Sequence, residues 1–147
     1  PYSNEEEQPY RRFFTKPINS YGTHYDTLDV SIVPLVNDSE FNRCKSALKI
    51  SEAVAKKCAL IVSDHPIYTK YIKHEVNGLI AKDNRDYTKL VKRLINNPSM
   101  VEDYQNKLIE DLGETFSLTN ITAKRAEFYK ELYNQKIKQT SSLTVLN

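Results

Sequence analysis

A row of charged side chains between two apolar segments is the feature of this sequence with the clearest chemical potential. Lys45, Lys49 and Glu52 are spaced by four and three residues, which places them on one face if the segment is helical. Lysines near a helix N-terminus attract phosphate, because the unpaired backbone N–H groups there already carry a partial positive charge. A carboxylate one turn further on accepts hydrogen bonds from sugar hydroxyls. The row therefore has the order of groups that a phosphate followed by a ribose requires.

The same residues also have a simpler interpretation. With Lys56 added, the row is typical of the solvated face of an amphipathic helix, and spacing alone favours that interpretation. His65 follows a predicted strand, where it is either a ligand contact or a structural loop residue. His24 and His74 belong to no pattern and receive no role.

Composition excludes several other kinds of function. The 147 residues are 39% apolar and 27% charged, as in an ordinary globular domain, and contain no apolar run long enough to span a membrane. The net charge of +2 is too small to indicate nucleic-acid binding. No catalytic triad, metal-binding cluster or glycine-rich phosphate loop is recognisable. Cys44 and Cys58 form no Cys-x-x-Cys pair, which favours reduced thiols.

Strands and helices alternate along the chain. A β-branched run predicts a strand over residues 28–35, a helix follows over 43–57, and a second apolar strand covers 59–62. Asn77 and Gly78 predict a turn that leads into a further strand ending at residue 81. Loops at the carboxyl ends of such strands are where open α/β sheets bind ligands, so Asp64 and His65 join the candidate residues.

The remainder is predicted to be mostly helical. Tyr21 and Tyr25 indicate a short helix, Tyr68 and Tyr71 a helical turn, and longer helices are predicted over residues 86–96, 100–112 and 118–136. Ser99 and Ser117 are the predicted N-caps of the last two. The domain boundaries expected are a loose lead-in at 1–10, one domain at 11–137 and a flexible tail at 138–147.

This order predicts an α/β fold, a partial Rossmann-like domain with a mostly parallel sheet of about four strands followed by C-terminal helices. A short strand at residues 11–14 would be the first of the four. Because such a sheet usually has about five or six strands, we expect the domain to be incomplete at its front.

Taken together, the segments resemble a known family. The strand 28–35, the segment from Phe41 through Asn42 and Ser46 to Glu52, the strand ending at Asp64 and the turn at Asn77 are similar in order and spacing to the C-terminal domain of GT-B glycosyltransferases of group 1. The similarity extends over residues 11–135.

The resemblance implies a function and a set of site residues. It implies that the domain binds a nucleotide-diphosphate-sugar donor, with Glu52 on the ribose hydroxyls. The expected donor-binding residues are Asn42, Lys45, Ser46, Lys49, Glu52, Asp64 and His65. No cofactor and no metal ion are expected, since backbone amides and basic side chains neutralise the leaving diphosphate. The catalytic residues are not identified.

The family also implies an activity for the whole enzyme. It would be a hexosyltransferase that retains anomeric configuration and acts on a glycan or lipid-linked acceptor in bacterial surface polysaccharide synthesis. We expect a cytoplasmic enzyme at the inner face of the membrane, peripherally associated, with no nucleic-acid partner. The alternative is a non-catalytic α/β binding or interaction module.

The sequence departs from the family pattern in two ways. The first of the two glutamates that many relatives carry falls on Cys44, so Lys45 is expected to compensate. The acceptor-binding N-terminal domain and the front of the donor-binding domain are expected to be missing. This polypeptide alone is therefore expected to be inactive.

Overall fold

The computed structural model describes residues 15–36 and 39–144, with side chains to residue 138. The predicted lead-in at 1–10, the strand at 11–14 and positions 37–38 lie outside the described residues. A 3-10 helix, Tyr21–Tyr25, precedes the first strand. The strands are β1 Val30–Val33, β2 Ala59–Ser63 and β3 Leu79–Ala81, and the helices are α1 Glu40–Arg43, α2 Leu48–Lys56, α3 Pro66–Thr69, α4 Asn84–Asn96, α5 Pro98–Leu112 and α6 Leu118–Thr144.

The three strands form one parallel sheet in the order β1-β2-β3. Val30 pairs with Ala59 between β1 and β2, and Ile61 pairs with Leu79 between β2 and β3. Parallel neighbours need a crossover connection, which the helices between the strands provide. The predicted α/β class and parallel sheet are confirmed, although the described residues contain three strands rather than about four.

Side chains of β2 enter two apolar cores, one on each face of the sheet. Leu60 packs on one face in a cluster with Ile50 of α2 and Leu108 of α5, whereas Ile61 packs on the other with Leu94 of α4. Every residue of β2 is buried, as expected for a parallel strand covered on both faces. The carboxyl end of β2 is therefore fixed from both sides.

The helix predicted over residues 43–57 is wrong in its first turn. Ser39 caps α1 by accepting a hydrogen bond from the Asn42 amide, α1 ends at Arg43, and α2 starts only at Leu48. Asn42, Cys44 and Ser46 all have low helix propensity, so this stretch does not favour one continuous helix. Lys45 consequently lies in the connection before α2 and not on its face.

The C-terminal helices agree with the prediction in number but differ at their ends. The residue before α5 is Asn97, with Pro98 in the first turn, so the predicted cap at Ser99 is wrong; proline suits that turn because its missing N–H is not needed there. Ser117 is confirmed as a cap, since its Oγ accepts a hydrogen bond from the Asn120 amide.

The last helix, α6, reaches Thr144 rather than ending at residue 136 as predicted. The backbone of residues 138–144 is therefore helical where the sequence predicted a flexible tail.

None of the helices in the described ranges is long and apolar enough to cross a membrane.

Candidate functional site

A cavity of about 480 Å³ lies at the carboxyl end of β1. Its floor is formed by the end of β1 and the loop that follows, from Ile32 to Leu35, and its walls by Tyr25, Tyr68 and the start of α2. Three of the predicted site residues line it: Lys45, Ser46 and Lys49. We call it the β1 cavity. Its volume lies within the ~300–1,000 Å³ that small-molecule sites usually have.

The ammonium group of Lys49 is part of a hydrogen-bond network beside the β1 cavity. Its Nζ donates to Glu52 Oε2 at 2.8 Å and to Tyr21 Oη at 2.9 Å, with Tyr25 Oη at 3.4 Å. Tyr25 Oη donates in turn to Glu52 Oε2 at 2.5 Å. Glu52 does not line the cavity itself, but it is one hydrogen bond away from two residues that do.

This network changes the protonation of two of its members. Burial, together with the hydrogen bond to the Glu52 carboxylate, raises the pKa of Tyr25 from 10.0 to about 12. Burial alone would lower the pKa of Lys49, but the hydrogen bonds to Glu52 and Tyr21 outweigh it and raise that pKa. Lys49 is therefore a cation and Tyr25 a neutral hydroxyl at neutral pH.

The 3-10 helix is held against α2 at both of its ends. Lys49 Nζ donates to Tyr21 Oη at 2.9 Å at its start, and Lys56 pairs with Asp26, directly after its end, at 2.7 Å. Gly22 passes so close to Lys56 that an added Cβ would lie 3.3 Å from its Cε. The charged face of α2 that the sequence predicts is thus covered in part by the segment that carries Tyr21 and Tyr25.

Ser63 joins the carboxyl ends of β1 and β2. Its Oγ accepts a hydrogen bond from the Leu35 amide at 2.5 Å and lies 2.9 Å from Tyr87 Oη of α4. Tyr87 Oη also donates to the Val33 carbonyl at 3.3 Å. These contacts fix the backbone that forms the floor of the β1 cavity.

The other predicted site residues lie outside the β1 cavity. Asn42 is half-buried on α1, and Asp64 is exposed at the end of β2, where its amide donates to the Ala81 carbonyl at 2.9 Å. His65 is 1% exposed and caps α3, its Nδ1 accepting from the Ile67 amide. Its ring lies 6.1 Å from that of Tyr68, which does line the cavity. His65 Nε2 is buried without a hydrogen-bond partner among the described residues.

Asn77 has a structural role in the turn that the sequence predicts. Its Oδ1 accepts from the Lys73 amide, and its Nδ2 donates to the Tyr71 carbonyl and to Asp111. The neighbouring Gly78 lies against the core, since an added Cβ would be 3.0 Å from Ile72. The Asn77 side chain therefore uses both its oxygen and its nitrogen in these hydrogen bonds, and the one to Asp111 attaches the turn to α5.

A larger groove of about 770 Å³ lies between β1 and helices α4 and α5 and shares Ile32 with the β1 cavity. It is lined mostly by apolar side chains such as Leu28 and Ile95, and its charged groups are Asp29 and Glu102. Two carboxylates repel a phosphate, so the basic β1 cavity is the better anion site although it is smaller.

No cluster of His, Cys, Asp or Glu side chains able to hold a metal ion occurs in the described part of the chain. Cys44 is exposed and Cys58 buried, and both are free thiols.

Comparison with known protein families decides the assignment of the chain. Residues 14–111 match the family described as glycosyl transferases group 1. The chain belongs to this family. The match includes all three strands and every residue that lines the β1 cavity, and no curated protein matches the chain. The group 1 assignment supports sugar transfer in general, with a nucleotide-sugar donor and an acceptor.

The sequence did not reveal the tyrosines of this site. The spacing of Tyr21 and Tyr25, four residues apart just before β1, is a local signal for a short helix, but it does not indicate what their hydroxyls contact. Tyr87 lies 24 residues from the Ser63 that it contacts, so no local pattern connects the two.

Proposed function

We propose that the β1 cavity binds the diphosphate and ribose of a nucleotide-diphosphate-sugar donor. The observation that carries the proposal is the convergence of Lys45, Ser46 and Lys49 on one cavity, with the Glu52 carboxylate one hydrogen bond behind it. A diphosphate needs cations and N–H donors, and a ribose needs a carboxylate acceptor. The cavity lining supplies the cations, and the carboxylate lies directly behind it, hydrogen-bonded to Lys49.

The start of α2 adds to this preference for an anion. The residue before the helix is Ala47, and no side chain caps the first turn. Backbone N–H groups at such an end carry a partial positive charge that favours phosphate. Lys45 precedes this turn, exposed, with its Nζ 4.0 Å from the centre of the Phe41 ring.

We further propose that Asn42, Asp64 and His65 contact the donor more peripherally. Asn42 and Asp64 lie at the ends of elements near the cavity, and His65 packs against the Tyr68 wall. The buried His65 Nε2 offers an N–H group to a ligand if Tyr68 moves, because its Nδ1 already accepts a hydrogen bond.

The reaction proposed for the whole enzyme is transfer of a hexose to a glycan or lipid-linked acceptor with retention of configuration, in bacterial surface polysaccharide synthesis. The donor cavity would work without a metal ion, with Lys45, Lys49 and backbone amides stabilising the leaving diphosphate. In the whole enzyme the acceptor would bind through a further, N-terminal domain. A lipid-linked acceptor would bring the enzyme to the cytoplasmic face of a membrane as a peripheral protein.

One observation favours a second candidate, a non-catalytic α/β binding or interaction module. Lys49 and Glu52 already pair with each other and with Tyr25, so their charges are satisfied without a ligand. On this alternative the network only attaches the 3-10 helix to α2.

Calorimetric titration with UDP, GDP and ADP tests the proposal against the alternative. We expect saturable binding of at least one of them, and an affinity lowered at least about tenfold by Glu52→Ala, because a hydrogen bond to a charged group contributes about 1.5–3 kcal/mol. Glu110→Ala on α5, the same change at an exposed ion pair, is the matched control and should bind as the unsubstituted chain does. The absence of binding by all three nucleotides would support the non-catalytic alternative.

A further inference from the structure

Tyr25 is a core residue whose hydroxyl reaches the candidate site. Its side chain is 7% exposed, and its ring belongs to the same apolar cluster as Ile50 and Tyr68. The hydroxyl at the end of the ring donates to Glu52 Oε2. A buried ring has no freedom to swing away, so the hydroxyl holds one fixed position beside the carboxylate.

The two groups that contact Glu52 both bind the same oxygen. Tyr25 Oη and Lys49 Nζ each donate to Oε2, and Oε1 accepts no hydrogen bond from the described residues. The Glu52 side chain retains 17% of its exposure. Oε2 is therefore held in place, while Oε1 is available to accept a hydrogen bond from a ligand.

We propose that Tyr25 is a positioning residue that orients the Glu52 carboxylate for the hydroxyls of a ribose and so favours a ribonucleotide over a 2′-deoxyribonucleotide. The inference rests on the proposed function, since it assigns Tyr25 a role in the same donor site. A carboxylate on a flexible side chain loses rotamer freedom when it binds a diol. An anchor that fixes it in advance lowers that entropic cost, which is the general effect of preorganisation.

Tyr21 provides an internal comparison. Its hydroxyl accepts from Lys49 but makes no hydrogen bond with Glu52 in the structure. Removing the Tyr21 hydroxyl therefore changes the surroundings of the phosphate-binding cation and leaves the Tyr25–Glu52 hydrogen bond in place. A change there should affect ribose and deoxyribose nucleotides equally.

The test compares the affinity of the chain for ribonucleoside and 2′-deoxyribonucleoside diphosphates. The probes are UDP, GDP and ADP with their 2′-deoxy counterparts, titrated into the unsubstituted chain, Tyr25→Phe, Tyr21→Phe, Glu52→Gln and the double variant Tyr25→Phe/Glu52→Gln. Tyr25→Phe keeps the buried ring, and circular dichroism during thermal unfolding checks that each variant is folded. The quantity compared is the ratio of the two dissociation constants.

We expect Tyr25→Phe to reduce the preference for ribose about fivefold, the effect of losing one hydrogen bond of ordinary strength. Tyr21→Phe should leave the ratio unchanged. Tyr25→Phe should have no further effect on the ratio in the Glu52→Gln background, because the hydroxyl acts through the carboxylate.

An unchanged ratio in Tyr25→Phe would overturn the inference while nucleotide binding itself stands. An increased preference for ribose would also overturn it, since it would mean that Tyr25 competes with the ligand for Glu52. If the unsubstituted chain binds no nucleotide, the proposed function fails first, and the inference fails with it.

Discussion

Lys49 and Glu52 are close enough to neutralise each other, yet both remain in reach of the β1 cavity. A partly exposed ion pair of this kind contributes little to stability, with the Lys49 side chain 41% exposed. Hydrogen bonds to the hydroxyls of Tyr21 and Tyr25 fix the positions of the Lys49 ammonium and the Glu52 carboxylate. The main effect of the ion pair is therefore on the geometry of the site and not on the free energy of unfolding.

The raised pKa of Tyr25 leads to a prediction about alkaline stability. Because folding raises that pKa from 10.0 to about 12, the folded state holds the proton more tightly than the unfolded state. The resulting stabilisation is complete below about pH 10 and is lost as the pH rises through about 12. Urea unfolding measured from neutral pH to about pH 12 should show a smaller alkaline loss of stability in Tyr25→Phe than in the unsubstituted chain.

Other tyrosines in the fold do not obscure this comparison. Burial also raises the pKa values of Tyr68, Tyr87 and Tyr104, but these groups titrate in both proteins and cancel in the difference. Equal alkaline losses in the two proteins would show that Tyr25 titrates normally in the folded state.

Residue-level contacts were the least predictable part of the molecule. Spacing and chemistry predict Lys45, Lys49 and Glu52 as site residues, and the two lysines line the cavity. The partner of Glu52 was not predicted, because Tyr25 lies 27 residues earlier and no local pattern connects residues so far apart. Whether the predicted residues bind a donor stays a prediction.

At the scale of elements, apolar runs predicted the strands well and the ends of helices less well. The β-branched run of β1 and the fully buried run of β2 appear where the sequence indicated them, because β-branched and apolar residues favour the extended backbone of a strand. Helix ends depend on single capping contacts, which periodicity does not register. The interruption between α1 and α2, with Ser39 as the cap, is the clearest example.

The cap of α4 gives a prediction at this scale. Asp83 precedes the helix, and its Oδ1 accepts a hydrogen bond from the Asp86 amide at 2.8 Å. Asp83→Ala should lower the free energy of unfolding by about 1 kcal/mol, as the loss of an N-cap usually does. Urea unfolding of Asp83→Ala and of Asp103→Ala, an exposed aspartate within α5, provides the measurement and its control. A loss no larger than that of Asp103→Ala would show that the cap contributes nothing.

At the scale of the whole molecule, β2 connects two cores that would otherwise be separate. Leu60 belongs to one and Ile61 to the other, and neither is more than 1% exposed. The alternation of adjacent side chains between faces follows from the geometry of a strand. The sequence predicted the parallel sheet, but it did not predict which helix packs on which face.

This arrangement predicts a single cooperative unfolding transition. Leu60→Ala and Ile61→Ala should each cost about 2–5 kcal/mol, the usual effect of truncating a buried aliphatic side chain, whereas Ile95→Ala, at a site 69% exposed, should change the free energy by less than about 0.5 kcal/mol. Circular dichroism and tyrosine fluorescence should give coincident unfolding curves. Separate transitions for the two faces would mean that β2 does not couple them.

The most direct test of the account is to locate a nucleoside diphosphate on the chain by NMR. Backbone amide shifts would be followed while UDP, GDP or ADP is added to the isotope-labelled protein. We predict saturable changes at the amides around the β1 cavity, those of Val33, Leu35 and Lys45 to Glu52, with little change along the groove beside Ile95. Saturable changes confined to that groove, or none with any of the three nucleotides, would contradict the assignment of the β1 cavity as the donor site.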